Sequence, residues 1–203
     1  MSNRKSQGLS SEGETSQYCR RYLIARHRRG ELLDYYFFWG HSKRPDGRIS
    51  KACFSQWYPA PFEFEGEIYL TAEHWMMAEK ARLFGDLQTW QQILDAPDPR
   101  IAKGLGRSVK PFDNNTWKRS AFEMVVAGNL YKFRQNTELR DFLLQTDGKI
   151  LVEASPDDPI WGIGVTEDDP HARSPMTWRG ENLLGFALMN VRDILTAEIH
   201  GAN

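Results

Sequence analysis

Two short segments hold the residues best suited to chemistry. In Thr71-Ala72-Glu73-His74-Trp75-Met76-Met77-Ala78-Glu79-Lys80-Ala81, Glu73 and Lys80 are seven residues apart. Seven residues make two helical turns, so on a helix both side chains share one stripe with Cα atoms roughly 10 Å apart. A pocket facing that stripe would see a carboxylate and an amine. Glu73 suits general acid or base work, and Lys80 an electrostatic role or imine formation, provided burial or neighbours tune them. A dipole-stabilising glutamate and a surface lysine would show the same spacing. The second segment runs from Glu153 to Gly164 and contains Asp157, Asp158, Trp161 and Gly162. It follows a predicted strand, a place where side chains stay accessible on a rigid support. Adjacent carboxylates beside an indole and two glycines can seat a flat ring next to an acid or base, and stacking of a base is worth about 1–3 kcal/mol. The alternative is a turn capped by Asp157, with Trp161 in the core. Arg107 follows a glycine-bounded helix end, where it can reach a phosphate or simply face solvent. Asn182 starts the last predicted helix, while Trp57, Tyr58 and Trp178 read as core.

The elements that must position these groups follow from local signals. Tyr35 to Trp39 reads as a buried strand ended by Gly40. Phe62 to Phe64 and Ile68 to Leu70 flank Glu65-Gly66-Glu67 as a hairpin. Thr71 caps a helix to about Phe84, and Asp86 starts another that stops before Pro97. Asp98-Pro99 opens a third that Gly104 and Gly106 close. Thr116 caps a long helix to about Phe133, Thr137 a shorter one to Leu144, Lys149 to Ala154 is a strand, and Glu181 to Ile199 is amphipathic. Helices dominate and no strand-helix-strand alternation appears, so the class is α+β: one mostly helical domain over residues 35–199 with a few short strands. Residues 1–34 form a basic, flexible extension with a helix reading from Tyr18 to Leu33. Its arginines, Arg20, Arg21, Arg26, Arg28 and Arg29, can contact nucleic-acid phosphates or serve as a solvated face.

Composition narrows the function classes. Across 203 residues, 26 Lys plus Arg oppose 27 Asp plus Glu, a net charge of −1, which disfavours a protein that grips polyanions through its bulk field. The longest charge-free apolar stretch near the C-terminus, Leu183 to Val191, is too short for a bilayer span, which needs roughly 20 residues. The N-terminus lacks an apolar signal core, leaving the cytosol as the expected compartment. Cys19 and Cys53 cannot build a disulfide framework. The histidines, His27, His41, His74, His171 and His200, never fall four apart, so no zinc-binding helix is predicted. No Gly-x-Ser-x-Gly elbow or phosphate-binding glycine fingerprint occurs. Metal-free acid/base chemistry is what these residues favour.

The ordered set Phe54-Ser55-Gln56-Trp57, Glu73-His74 with Lys80, Gly104-Leu105-Gly106-Arg107, Trp117-Lys118, Asp158-x-x-Trp161-Gly162-x-Gly164 and Asn182-Leu183-Leu184-Gly185 resembles the NADAR superfamily of YbiA-like N-glycosidases, from about Phe37 to Leu195. The resemblance implies a compact α+β enzyme, without cofactor, that hydrolyses the bond between a ribose-type sugar and a nitrogen base. It points to small anionic substrates such as phosphoribosylamino-pyrimidine intermediates of riboflavin synthesis. It also points to ADP-ribose on guanine in nucleic acid, or to a non-catalytic ADP-ribose or NAD binder. By motif, Glu73, Lys80 and Asp158 become candidate catalytic residues; Trp161, Arg107, Trp57, Asn182, Gly162 and Gly164 become candidate binding residues. Some relatives carry an acid where Ile163 stands here, so Asp158 is expected to bear more of the chemistry.

Overall fold

Local capping and turn chemistry does not by itself join distant parts of the chain; a pair of strands far apart in sequence does. In a computed structural model that describes residues 18–201, the elements run α1 (Arg20–Arg28), β1 (Tyr35–Phe38), β2 (Phe62–Phe64), β3 (Glu67–Tyr69), α2 (Ala72–Leu83), α3 (Leu87–Leu94), α4 (Pro99–Ser108), α5 (Asn114–Gln135), α6 (Thr137–Leu144), β4 (Ile150–Glu153) and α7 (Leu183–Gly201). Short 3-10 turns add Lys51–Phe54 and Pro170–Arg173. β1 and β4 pair in parallel, with Phe38 opposite Glu153. Every residue between them in sequence must therefore fold back over this pair.

Helix starts follow their side-chain acceptors. Thr71 accepts the His74 N–H and starts α2; Asp86 accepts the Thr89 N–H, and Asp98 accepts from Arg100 and Ile101 at the start of α4. The α5 cap lies three residues before Thr116, because Asp113 accepts the Thr116 N–H at 2.7 Å and Asn114 opens the helix. Thr137 is the first residue of α6 rather than its cap. α4 runs through Gly104 and Gly106 to Ser108 instead of closing there. Gly106 has a packing reason to be small: a Cβ on it would lie 2.1 Å from Met77 Sδ on α2. The β2–β3 hairpin turns on two residues, Glu65 at φ 53° and Gly66 at φ 85°, the mirror-image geometry that matches strand twist.

The core is rich in rings. Trp75 of α2 meets Phe62, Phe64, Tyr69 and Tyr131, and its indole N–H donates to Met124 O at 2.8 Å. Phe54 packs on Phe38, Phe133 and Phe142. Tyr58 and Trp178 are buried, in line with a core reading. α7 covers β4 so closely that a Cβ on Gly185 would lie 2.2 Å from Leu151 O.

Residues 18–34 differ from a flexible extension. Leu23 is completely buried, Arg20 donates to Pro175 O and Trp178 O at 2.8 and 2.6 Å, and Tyr18 donates to Asp193 at 2.7 Å. Residues 1–17 lie outside the described part. No described helix is long and apolar enough to cross a membrane.

Candidate active site

The start of α2, the end of β4, the inner side of α4 and the segment after Phe54 enclose a cavity of about 410 Å³. Glu73 enters it from the first turn of α2, anchored by its own N–H donating to Gln56 O at 2.9 Å. The side chain is 4% exposed and Oε1 has no hydrogen-bond partner. Burial raises its pKa, and Asp158 adds to the rise, while Lys103, hydrogen bonding to the Trp57 side chain and Arg107 oppose it. Glu153, the last residue of β4, presents a second carboxyl to the same cavity. Its Oε2 is likewise buried and unpartnered, and burial pushes its pKa up to about 8, helped by Asp158 and Glu73 and opposed by Lys103. Burial raises both carboxyls and Glu73 raises Glu153 further, so a proton retained on Glu153 is the natural state near neutrality.

Asp158 lines the cavity and also makes the turn. Its Oδ1 accepts from Ile160 N and Trp161 N at 2.9 and 2.8 Å. That corrects the expectation that Asp157 caps this loop: Asp157 is exposed at the cavity rim. Trp161 is half-buried along the wall, not in the core. Trp57 stands in the wall as well, with Lys103 Nζ 5.7 Å from its ring centroid.

Three cations face the carboxyls. Lys80, two turns along α2 from Glu73, donates to Gly106 O at 2.6 Å and lies 4.4 Å from the Phe112 ring and 5.5 Å from Trp117. Burial lowers its pKa, with Arg107 lowering it further. The aromatic faces of Phe112 and Trp117 stabilise the half-buried ammonium and partly offset that lowering. Arg107 and Lys103, four residues apart on α4, complete the cationic wall, Arg107 at the exposed side.

Asn182, Gly162 and Gly164 are not the wall but its frame. Asn182 is fully buried at φ 60°; its Oδ1 accepts Glu153 N–H at 2.9 Å and its Nδ2 donates to Leu151 O at 2.9 Å. A Cβ on Gly162 would lie 2.9 Å from Glu153 O, and one on Gly164 3.0 Å from Arg179 Cβ. Ile163 is completely buried and its N–H donates to Glu153 O at 2.9 Å. The N–H of Glu153 is thus held by Asn182 and its carbonyl by Ile163, which fixes the backbone that presents the Glu153 carboxyl.

Glu153 and Lys103 were legible signals that spacing arguments passed over. Glu153 is the one charge in Ile150-Leu151-Val152-Glu153, and Lys103 sits one turn before Arg107, so both lie where a period would have flagged them. Among the described residues no group of three or more His, Cys, Asp or Glu is placed to hold a metal ion.

A buried carboxyl pair opposed by lysines and an arginine beside two tryptophans is an arrangement able to do acid/base chemistry. The chain belongs to the NADAR domain family, whose model matches residues 37–196. It is similar to N-glycosidase R617 of Acanthamoeba polyphaga mimivirus, 42% identical over 168 residues that cover 80% of this chain and 97% of that protein. It is also similar to N-glycosidase YbiA of Escherichia coli strain K12, 32% identical over 146 residues, covering 71% and 82%. The NMR structure of E. coli YbiA has the same fold, with a TM-score of 0.64 at 28% identity, covering 82% of this chain and 88% of that one.

Proposed function

We propose that this chain is an N-glycosidase that hydrolyses the bond between a phosphoribose or ADP-ribose moiety and a nitrogen base, with phosphoribosylamino-pyrimidines of the riboflavin route as the leading substrate class, and that it works in the cytosol, where an exposed thiol such as Cys19 stays reduced. The observation that carries this reading is the pair of buried carboxyls, Glu73 and Glu153, in one cavity with Asp158, Lys80, Lys103 and Arg107. Breaking a ribosyl C–N bond spreads positive charge over the sugar and negative charge onto the leaving base. Glu153, held protonated near neutral pH, is suited to give its proton to the base. Glu73 and Asp158 then face the developing positive charge and orient the attacking water. Arg107 and Lys103 suit the phosphate, and Trp57 and Trp161 the flat ring. Lys80, with its lowered pKa, supports a second route in which its amine attacks the anomeric carbon, the base takes a proton and leaves, and the sugar ring opens to a lysine imine that water then hydrolyses to the free sugar and the amine.

ADP-ribosylated guanine in nucleic acid is a second substrate class, favoured by Arg21 and Arg28, which α1 leaves exposed. Incubation with a phosphoribosylamino-pyrimidine, ADP-ribosyl-guanosine and NAD, followed by assay of released base, tests the proposal. Release from at least one is expected; tight binding without release from any would overturn it. Borohydride added during turnover reports on Lys80: a reduced sugar adduct there marks the imine route, and its absence marks direct hydrolysis.

A further inference from the structure

One face of α5 holds the segment that precedes Trp57. Lys132 Nζ, buried completely, donates to Cys53 O at 2.6 Å and Ser55 O at 3.0 Å. One turn earlier, Asn129 Nδ2 donates both to Val125 O and to Gln56 Oε1, each at 2.8 Å. This chain of contacts fixes the direction of two amides. A main-chain carbonyl only accepts, so Asn129 must turn its NH2 group to Val125; the same nitrogen meets Gln56, which must answer with oxygen. The NH2 of Gln56 is left over. It is buried without a partner, on a residue that is 8% exposed and lines the cavity.

The neighbouring group is also incomplete. Gln56 O receives the Glu73 N–H, and Glu73 Oε1 has no partner either. One donor and one carboxyl oxygen on adjacent residues of the cavity wall await a group that can accept and donate at once. A secondary hydroxyl does both, whereas a base carbonyl only accepts and would leave Glu73 Oε1 unpaired. We propose that Gln56 Nε2 donates to the 2-hydroxyl of the substrate's ribose, that the same hydroxyl donates to Glu73, and that Asn129 is the positioning residue that keeps the Gln56 amide facing this way. The inference rests on the ribosyl reading above and names the part of the sugar this wall reads. The 2-hydroxyl sits on the carbon next to the anomeric carbon, so its hydrogen bonds strengthen as charge develops there.

The test compares ribose 5-phosphate with 2-deoxyribose 5-phosphate by calorimetry on the full chain. The unmodified chain is expected to bind the ribose form about tenfold more tightly, the size of one well-made hydrogen bond in a buried site. Gln56→Met, which keeps the volume, is expected to bring that ratio close to one by weakening the ribose form alone. Gln56→Glu keeps the oxygen for Asn129 while removing the donor, and should do the same if the methionine variant folds poorly. Asn129→Ala should lower the ratio in the same direction. Equal affinity of the unmodified chain for both sugars, or an equal loss for both in the Gln56 variants, would overturn the assignment to Gln56. A fall in Tm with an unchanged ratio in Asn129→Ala would overturn the positioning role. Binding of neither sugar to the unmodified chain would instead overturn the phosphoribosyl reading on which the inference stands.

Discussion

Glu153 carries a proton that an ordinary glutamate would have lost, and this has opposite effects on activity and on stability. Its pKa of about 8 in the fold stands well above the 4.5 of a free side chain. If the protonated form is the working acid, turnover is expected to fall as pH rises through about 8, and Glu153→Gln should cut kcat by roughly a hundredfold or more without unfolding the chain, the loss a positioned proton donor leaves. The same substitution acts the other way on stability. Between about 4.5 and 8 the folded chain binds a proton that the unfolded chain has released, so this residue costs increasing stability as pH rises through that window. Glu153→Gln is therefore expected to melt at higher temperature than the unmodified chain at pH 8.5, with the gap closing by pH 5; a variant that melts lower at pH 8.5 would remove the buried acid from this account. The sequence made Glu73, Lys80, Asp158 and Trp161 visible because helical spacing and a loop after a strand are local properties. Glu153 stands out locally only as the one charge in an apolar strand; the crowding of carboxyls that raises its pKa is three-dimensional, and no local pattern encodes it.

Close approaches between elements explain why several small residues stand where they do. α7 lies on β4 with only a hydrogen atom's room at Gly185, since the obstacle there is the Leu151 carbonyl, a main-chain atom that cannot rotate away. Gly185→Ala is expected to destabilise the fold by about 3 kcal/mol, lowering Tm by roughly 6–12 °C, because overpacking against backbone has no soft direction. It should also weaken activity in the part that stays folded, as Asn182 and β4 share that contact. Thermal melting read beside turnover checks both. Element starts were largely legible: Thr71, Asp86 and Asp98 each carry the acceptor their helix needs. The α5 start was displaced because Asp113 and Thr116 are both competent caps three residues apart, and the aspartate won. Gly104 and Gly106 misled for a related reason: a glycine signals a helix end or a tight contact equally well, and only the neighbouring helix decides which.

At the scale of the molecule, the near-zero net charge hides an arrangement rather than an average. Arg20 is spent on holding the Pro175 to Trp178 loop, and Leu23 joins the core, so removing α1 would injure the domain whatever its substrate. Only the outward charges of α1 can report on nucleic acid. Changing Arg21 and Arg28 together to Gln is expected to leave turnover of a small phosphoribosyl substrate within twofold; for an ADP-ribosylated oligonucleotide it should weaken KM and flatten the salt dependence. Equal effects on both substrates would end the case for a polynucleotide face. The parallel pairing of β1 with β4 was beyond sequence reading, because hydrophobic alternation says that two segments are strands but not that strands separated by roughly 110 residues meet. That pairing has a consequence for biosynthesis. Phe38 waits for Glu153 while everything between them is made, so the ribosome must release most of the chain before the acid has a seat. A nascent or prematurely ended polypeptide that already displays Glu73 and Lys80 is therefore expected to be chemically silent until the last quarter of the chain supplies Glu153.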